Sequence, residues 1–230
     1  MGSGKKDIVA IDGPAGAGKS TVAKLVAEKL KYFYIDTGAM YRALTLKALQ
    51  EGIDFKDEES LIDLSKRAVI ELKRDRDGRL KTILDGKDVS KRIRDKDVNL
   101  NISALSKIKG VRMNMVLRQR KMGERGKVVL EGRDIGTVVF PNARYKFYLD
   151  ADFRERVARR YREFILQGKK ISMEEVRRDL LRRDRSDKLR KVAPLKKAKD
   201  ALYIDTTCLD INEVVEKIIT SIKAVSLCKR

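Results

Sequence analysis

The chain contains no histidine and no tryptophan, two cysteines and three prolines. No apolar run approaches the ~18 to 20 residues of a membrane span. The two cysteines, Cys208 and Cys228, form no C-x-x-C pair and have no histidine with which to share a metal. A reducing cytoplasm is their simplest setting. The opening stretch, Met1-Gly2-Ser3-Gly4-Lys5-Lys6-Asp7, lacks the apolar segment of a signal peptide. The scarcity of Gln and Asn beside 38% charged residues matches the ion-pair-rich composition of thermophilic proteins.

What the chain has in excess is positive charge: 54 Lys+Arg against 34 Asp+Glu, a formal +20. Such a chain binds anions, and nucleic acid, an acidic membrane or phosphorylated metabolites all qualify. Most of the lysines read as a solvated surface. Several arginines, by contrast, fall where a phosphate would sit. The 230 residues with 42% hydrophobic content suit a single domain, 1–230, carrying a small insertion.

Alternating signals run along the chain. Asp7-Ile8-Val9-Ala10-Ile11-Asp12 is a buried strand ended by Gly13-Pro14, followed by a predicted helix over 20–31 with Val22, Ala23, Val26 and Leu30 on one face. A strand at 32–36 and a helix over 38–50 come next. Further strands are expected at 127–131, 145–149 and 201–205, and a last helix over 210–227. Strands alternating with helices imply an α/β fold with a parallel sheet covered on both faces. One region breaks the pattern. Strand-like segments at 68–73 and 79–84, with Asp-Gly turns at Asp77-Gly78 and Asp85-Gly86, predict an antiparallel β insertion, placed over 64–94. Two helices, 95–109 and 111–122, are expected to flank Gly110. Ser172 and Glu175 form a capping-box pattern that opens a helix running to about residue 185.

Gly13-Pro14-Ala15-Gly16-Ala17-Gly18-Lys19-Ser20 fits the G-x-x-x-x-G-K-[ST] phosphate loop, with a strand before it and a helix after it. That context aims backbone N–H groups and a helix N-terminus at a phosphate chain. Lys19 then reaches the β- and γ-phosphates, and the Ser20 hydroxyl ligates Mg²⁺. A GTPase would need a later N-K-x-D motif, which is absent. Leu149-Asp150-Ala151-Asp152 is a poor substitute for the Asp-Glu strand end of a motor ATPase.

A kinase must also hold a second polyanion. Arg42 and Arg133 leave the carboxyl ends of predicted strands, where parallel sheets bind ligands, and a guanidinium fork suits phosphate. In the run Arg182-Arg183-Asp184-Arg185-Ser186-Asp187-Lys188-Leu189-Arg190, a continuous helix would set Arg183, Asp187 and Arg190 on one face. An ion-paired surface helix is the alternative reading of that run.

Several segments together resemble the bacterial-type cytidylate kinases, a P-loop nucleoside-monophosphate kinase family, almost end to end. They are Ile11-Asp12-Gly13-Pro14-Ala15-Gly16-Ala17-Gly18-Lys19, Asp36-Thr37-Gly38-Ala39-Met40-Tyr41-Arg42 and Gly132-Arg133-Asp134-Ile135-Gly136-Thr137-Val138-Val139-Phe140-Pro141. The patterns Arg183-Asp184-x-x-Asp187-x-x-Arg190, Val192-Ala193-Pro194-Leu195 and Ala198-x-Asp200-Ala201 complete the set. The resemblance implies a P-loop kinase core with a monophosphate-binding β insertion and a short helical lid at 182–193. It implies ATP around Gly13 to Ser20 and the following Thr21, with Lys19, Arg133 and Arg190 as catalytic cations. Arg42, Arg133 and Arg190 would clamp the CMP phosphate or the phosphoryl group in flight. Asp187, with Arg183 near it, would touch the ribose. Ser103, Arg112 and Asp134 would read the cytosine ring, with Thr37 close to the base.

Cytosine presents an amine donor beside ring acceptors, which suits a carboxylate beside donors. The expected reaction is Mg²⁺-dependent phosphorylation of CMP and dCMP by ATP, with no general base because the acceptor phosphate is already anionic. A cytoplasmic monomer without nucleic-acid or membrane partners is implied. The alternatives are another P-loop kinase, for UMP or AMP, and an RNA-binding ATPase, although no RRM, KH or paired-aromatic pattern is present.

Overall fold

β-Branched runs that end in glycine supply the central strands. The computed structural model describes residues 6–227, so most of the opening stretch and Cys228 lie outside the described residues. By internal contacts the chain divides into two compact units, Met1–Tyr34 with Arg125–Arg230, and Ile35–Glu124.

The first unit is built on strands β1 (Ile8–Asp12), β6 (Val128–Gly132), β7 (Tyr145–Asp150) and β8 (Leu202–Asp205), with β2 (Phe33–Asp36) at the unit boundary. Their order in the sheet is β2-β6-β1-β7-β8. β1 pairs in parallel with β6 on one side and β7 on the other, and β7 pairs in parallel with β8. Every residue of β1 and β6 is buried, whereas the edge strand β8 exposes three of its four residues. That is the pattern of a parallel sheet covered on both faces. The order reverses at β1, so the carboxyl ends of β1, β6 and β7 open at a switch point, where such sheets take ligands.

Helix α1 (Lys19–Leu30) buries Val22, Ala23, Val26 and Ala27 and packs on β6 and on α8 (Ile211–Leu227). Helices α6 (Phe153–Leu166) and α7 (Met173–Leu189) pack on each other through Val157, Phe164, Val176 and Leu180, joined by Ala15 of the phosphate loop. The expected capping box is formed: the Ser172 hydroxyl accepts from the Glu175 N–H, and the Glu175 carboxylate accepts from the Ser172 N–H. α7 runs past residue 185 to Leu189, with Val176, Leu180 and Asp184 on its buried face.

The second unit contains α2 (Thr37–Gln50), α3 (Glu58–Arg67), strands β3 (Ile70–Arg74), β4 (Leu80–Leu84) and β5 (Lys87–Asp88), and helices α4 (Lys96–Lys107) and α5 (Lys109–Gly123). The strands form an antiparallel sheet in that order. Asp85 and Gly86 both have positive φ, 47° and 82°, the signature of the Asp-Gly turn read from the sequence. Residues 64–67 belong to α3, which the sequence reading had not placed. Its signal is Asp57, whose carboxylate caps the Ser60 N–H at 3.0 Å.

The break between α4 and α5 falls at the buried, extended Ile108 rather than at Gly110. Gly110 sits inside α5 for a different reason. A Cβ there would come within 2.6 Å of the Ile62 side chain, so glycine lets α5 lie close against α3.

Candidate active site

The phosphate loop leaves β1 through three glycines with positive φ: Gly13 at 149°, Gly16 at 81° and Gly18 at 79°. At Gly13 a Cβ would stand 1.9 Å from the Leu149 carbonyl oxygen, so no side chain fits where the loop crosses β7. Lys19 opens α1 and is buried, its ammonium donating to the Pro14 carbonyl at 2.6 Å. Burial, reinforced by the Arg133 guanidinium, pushes Lys19 down to about 7 against the pull of Glu131, Asp187 and Asp12. Ser20 donates its hydroxyl to Glu131 at 2.7 Å. Glu131 was not singled out from the sequence, although it stands at the carboxyl end of a buried strand, where the same crevice argument applies. Thr21 is exposed in the first turn of α1.

The loop after β6 carries Arg133 and Asp134. Arg133 donates through Nε to Asp187 on α7 at 2.8 Å. Burial works against its charge, and Asp187, Glu131 and Asp184 more than offset this, so the guanidinium pKa is raised. α7 stops at Leu189 and Arg190 is extended, so the single face that a continuous helix would give Arg183, Asp187 and Arg190 is not formed. Arg190 reaches the cluster by turning back. Its side chain is 4% exposed, with Nη1 3.5 Å from Asp187, Nη2 3.5 Å from Asp134, and Nε donating to the Ala193 carbonyl. Arg183 instead pairs with Asp179, one turn earlier on α7, at 2.9 Å.

The first unit therefore gathers Lys19, Arg133 and Arg190 with Asp134, Asp187 and Glu131. The cations are held by oxygens borrowed from several elements, which leaves them in place for a phosphate. Beside them is a buried pair the sequence reading did not find. Arg156 donates to Asp184 at 2.7 Å and to the Ala15 carbonyl of the phosphate loop at 3.0 Å.

In the second unit, Asp36 caps α2 by accepting the Ala39 N–H at 2.8 Å, and Thr37 is buried in the first turn. The Arg42 side chain folds back over that turn. A Cβ on Gly38 would lie 2.9 Å from Arg42 Nη1, so the glycine in Thr37-Gly38-Ala39 allows the approach. Arg112 on α5 is 3% exposed, donates to the Ser106 carbonyl at 3.1 Å and lies over the Tyr41 ring at 5.6 Å. Ser103, half-buried on α4, accepts from the Ser106 hydroxyl through its carbonyl at 3.4 Å. Arg112, Ser103 and Tyr41 thus collect where α4 passes into α5 beside α2.

Comparison with known proteins gives one consistent answer. The family model described as cytidylate kinase matches residues 9–224. The chain is 51% identical over 219 residues to the cytidylate kinase of Bacillus subtilis, covering 95% of this chain and 97% of that protein. It is 49% identical over 215 residues to the cytidylate kinase of Clostridioides difficile, covering 94% and 97%. Among solved structures, an uncharacterized protein from Eubacterium ventriosum superposes with a TM-score of 0.51 at 15% identity, covering 96% of this chain and 99% of that one, a likeness of fold alone. With its phosphate loop, its arginine–carboxylate cluster and relatives of about half-identical sequence along nearly the whole length, the chain belongs to the cytidylate kinase family.

Proposed function

We propose that the chain transfers the γ-phosphoryl group of ATP to CMP and dCMP. The observation that carries this is the gathering of Lys19, Arg133 and Arg190 with Asp134 and Asp187 beside a glycine-built phosphate loop. Three buried or half-buried cations suit charge spread over a transferring phosphoryl group. An anionic acceptor oxygen needs no general base, so catalysis is positioning and electrostatic stabilisation.

Gly13 to Thr21 take the ATP phosphates, with Lys19 leaving the Pro14 carbonyl for them. Arg133 and Arg190 neutralise the group in flight, Asp187 and Arg183 hold the ribose, and the 182–193 segment closes as a lid that excludes water. Thr37, Arg42, Ser103, Arg112 and Asp134 take CMP, with Arg42 on its phosphate and Asp134 accepting from the cytosine amine. Uracil places a carbonyl oxygen where that amine stands and is rejected, since sites built to hydrogen-bond a polar group discriminate by up to ~10⁴ to 10⁵.

Mg²⁺ fits the residues present: Ser20 and Glu131 offer two hard oxygens 2.7 Å apart at the loop. Among the described residues no group of three His, Cys, Asp or Glu side chains forms a metal cage, so the ion is one that arrives with the nucleotide. Bound there, it would supply positive charge against the nucleotide phosphates, with Ser20 and Glu131 holding it. No helix among the described residues is long and apolar enough to cross a membrane. The protein works as a cytoplasmic monomer of pyrimidine metabolism, and its +20 charge serves small phosphates rather than nucleic acid.

The test is ADP release from Mg-ATP with CMP, dCMP, UMP, AMP or no acceptor, with Lys19→Ala as control. Turnover that requires CMP or dCMP and is lost in the control supports the reading. Stimulation by RNA with no response to any monophosphate overturns it.

A further inference from the structure

The segment Gly132 to Pro141 carries Arg133, proposed above to meet the transferring phosphoryl group, and Asp134, proposed to meet the cytosine amine, and the rest of it needs holding in place. After Asp134 the backbone makes a wide turn, Ile135–Val139, in which the Val138 and Val139 N–H groups both donate to the Asp134 carbonyl and the Phe140 N–H donates to the Ile135 carbonyl. The first N–H groups of such a turn have no carbonyl within it. One side chain takes both. Asp12 accepts from the Ile135 N–H at 2.8 Å and from the Gly136 N–H at 2.7 Å, one with each carboxylate oxygen. Asp12 is the last residue of β1, directly before Gly13, and is 4% exposed. A buried strand end is ordinarily apolar, because a carboxylate there is expensive to desolvate. Here it joins the root of the phosphate loop to the root of the arginine loop.

The far end of the segment is pinned as well. Lys146 of β7 is buried and donates to the Pro141 carbonyl and to both oxygens of Asp200, at 2.9 and 2.8 Å. Gly136 fits between the two anchors. A Cβ on it would lie 3.2 Å from the Lys146 chain and 3.4 Å from the Asp12 carboxylate.

We propose that Asp12 at one end, and Lys146 with Asp200 at the other, are positioning residues that fix Arg133 and Asp134 relative to Lys19 and touch no substrate. The inference rests on the phosphoryl-transfer reading above and gives a task to residues that reading leaves unused. A displacement of about 1 Å in a charge-stabilising group costs ~10²-fold in rate. Asp12→Asn keeps the shape but sets an amide NH2 donor against one of the two backbone N–H groups, so the turn shifts.

The experiment measures kcat at saturating CMP, the dissociation constant of Mg-ATP by calorimetry with a non-hydrolysable analogue, and thermal melting, for native protein, Asp12→Asn and Asp200→Asn. The expected result is a loss of kcat of about 100-fold for Asp12→Asn and at least about threefold for Asp200→Asn, with the Mg-ATP constant within about threefold of native. A purely structural role would lower the melting temperature and leave kcat, read well below it, unchanged. Native kcat in both folded variants overturns the proposal, as does ATP affinity lost in step with kcat. Should Asp12→Asn fail to fold, Asp200→Asn, whose carboxylate is 61% exposed, decides alone. Failure of the native protein to phosphorylate CMP is a separate result that strikes the acceptor assignment, and the variants are then read on the monophosphate that does turn over.

Discussion

Compare the cations of the two compact units. In the phosphate-loop unit, Arg133 is held by a carboxylate 54 residues away in sequence and Lys19 is buried beneath its own loop. In the Ile35–Glu124 unit, Arg42 lies over Gly38 in its own helix, and Arg112 donates to a carbonyl six residues back. The first arrangement exists only when the sheet and α7 are assembled. In the second, Arg42 meets its own helix turn, and Arg112 meets a carbonyl across the helix break and the Tyr41 ring of α2. The cations proposed to meet the transferring phosphoryl group are thus placed by long-range pairing, whereas Arg112, proposed to read the base, takes a nearby carbonyl beside the Tyr41 ring. Substitution of Lys19, Arg133 or Arg190 should therefore cost turnover, and substitution of Arg112 should cost discrimination.

The largest effect expected is on Arg190. Arg190→Ala should lower kcat for CMP by ~10³ if it acts as an arginine finger supplied in cis. Steady-state ADP release at saturating CMP measures this, and a change confined to KM would reduce Arg190 to a binding residue.

Next is the cost of keeping charge buried in the phosphate-loop unit. Burial raises Asp12 to about 6 despite its two backbone N–H bonds, with Asp134 adding to the rise and Lys19 opposing it. Between its ordinary value and 6 the folded chain holds a proton that the unfolded chain releases. The stability this contributes is complete at low pH and is lost as pH rises through 6. The unfolding free energy of native protein relative to Asp12→Asn should fall by roughly 2 kcal/mol between pH 4 and pH 7. Urea melts across that range test it, and a flat difference would return Asp12 to the usual carboxylate range.

The second unit gives the third prediction. Arg112→Ala should reduce the CMP over UMP ratio of kcat/KM by about 100-fold while kcat for CMP changes less than about tenfold. An equal loss for both acceptors would erase the distinction between the units. Smallest of all is the surface network in which Glu51 accepts from Arg67 and Lys47 and is held down to about 2, Arg67 being the main cause. Glu51→Gln should cost less than about 1 kcal/mol by chemical denaturation, since exposed pairs are worth little.

The residues that local rules govern were legible in the sequence. The phosphate loop, the Asp85-Gly86 turn, the Ser172 capping box and the buried β1 and β6 each depend on a handful of neighbouring side chains. Two helix boundaries differ from the sequence reading. Gly110 reads as a helix break and is instead a contact point for α3, and the helix opened at Ser172 reads as ending near 185 and instead runs to Leu189. What stayed hidden was pairing at a distance. Asp12 meets Ile135 across 123 residues, Lys146 meets Asp200 across 54, and Arg156 meets Asp184 across 28. No periodicity connects such positions, and a charged residue that anchors a loop looks in sequence like one that faces water.

The Arg156–Asp184 pair has a mechanical consequence. Asp184 is one of three residues by which α7 stays buried, and its partner Arg156 also grips the Ala15 carbonyl of the phosphate loop. The body of α7 is thereby bolted to the floor on which a triphosphate would rest. The lid proposed for 182–193 would then move only in its later part, the short stretch bearing Asp187 and Arg190 where α7 ends at Leu189. A short arm on a fixed pivot sweeps a small arc. On the lid reading, Arg190 would pass from carboxylate to phosphate by a small displacement, with the helix behind it undisturbed.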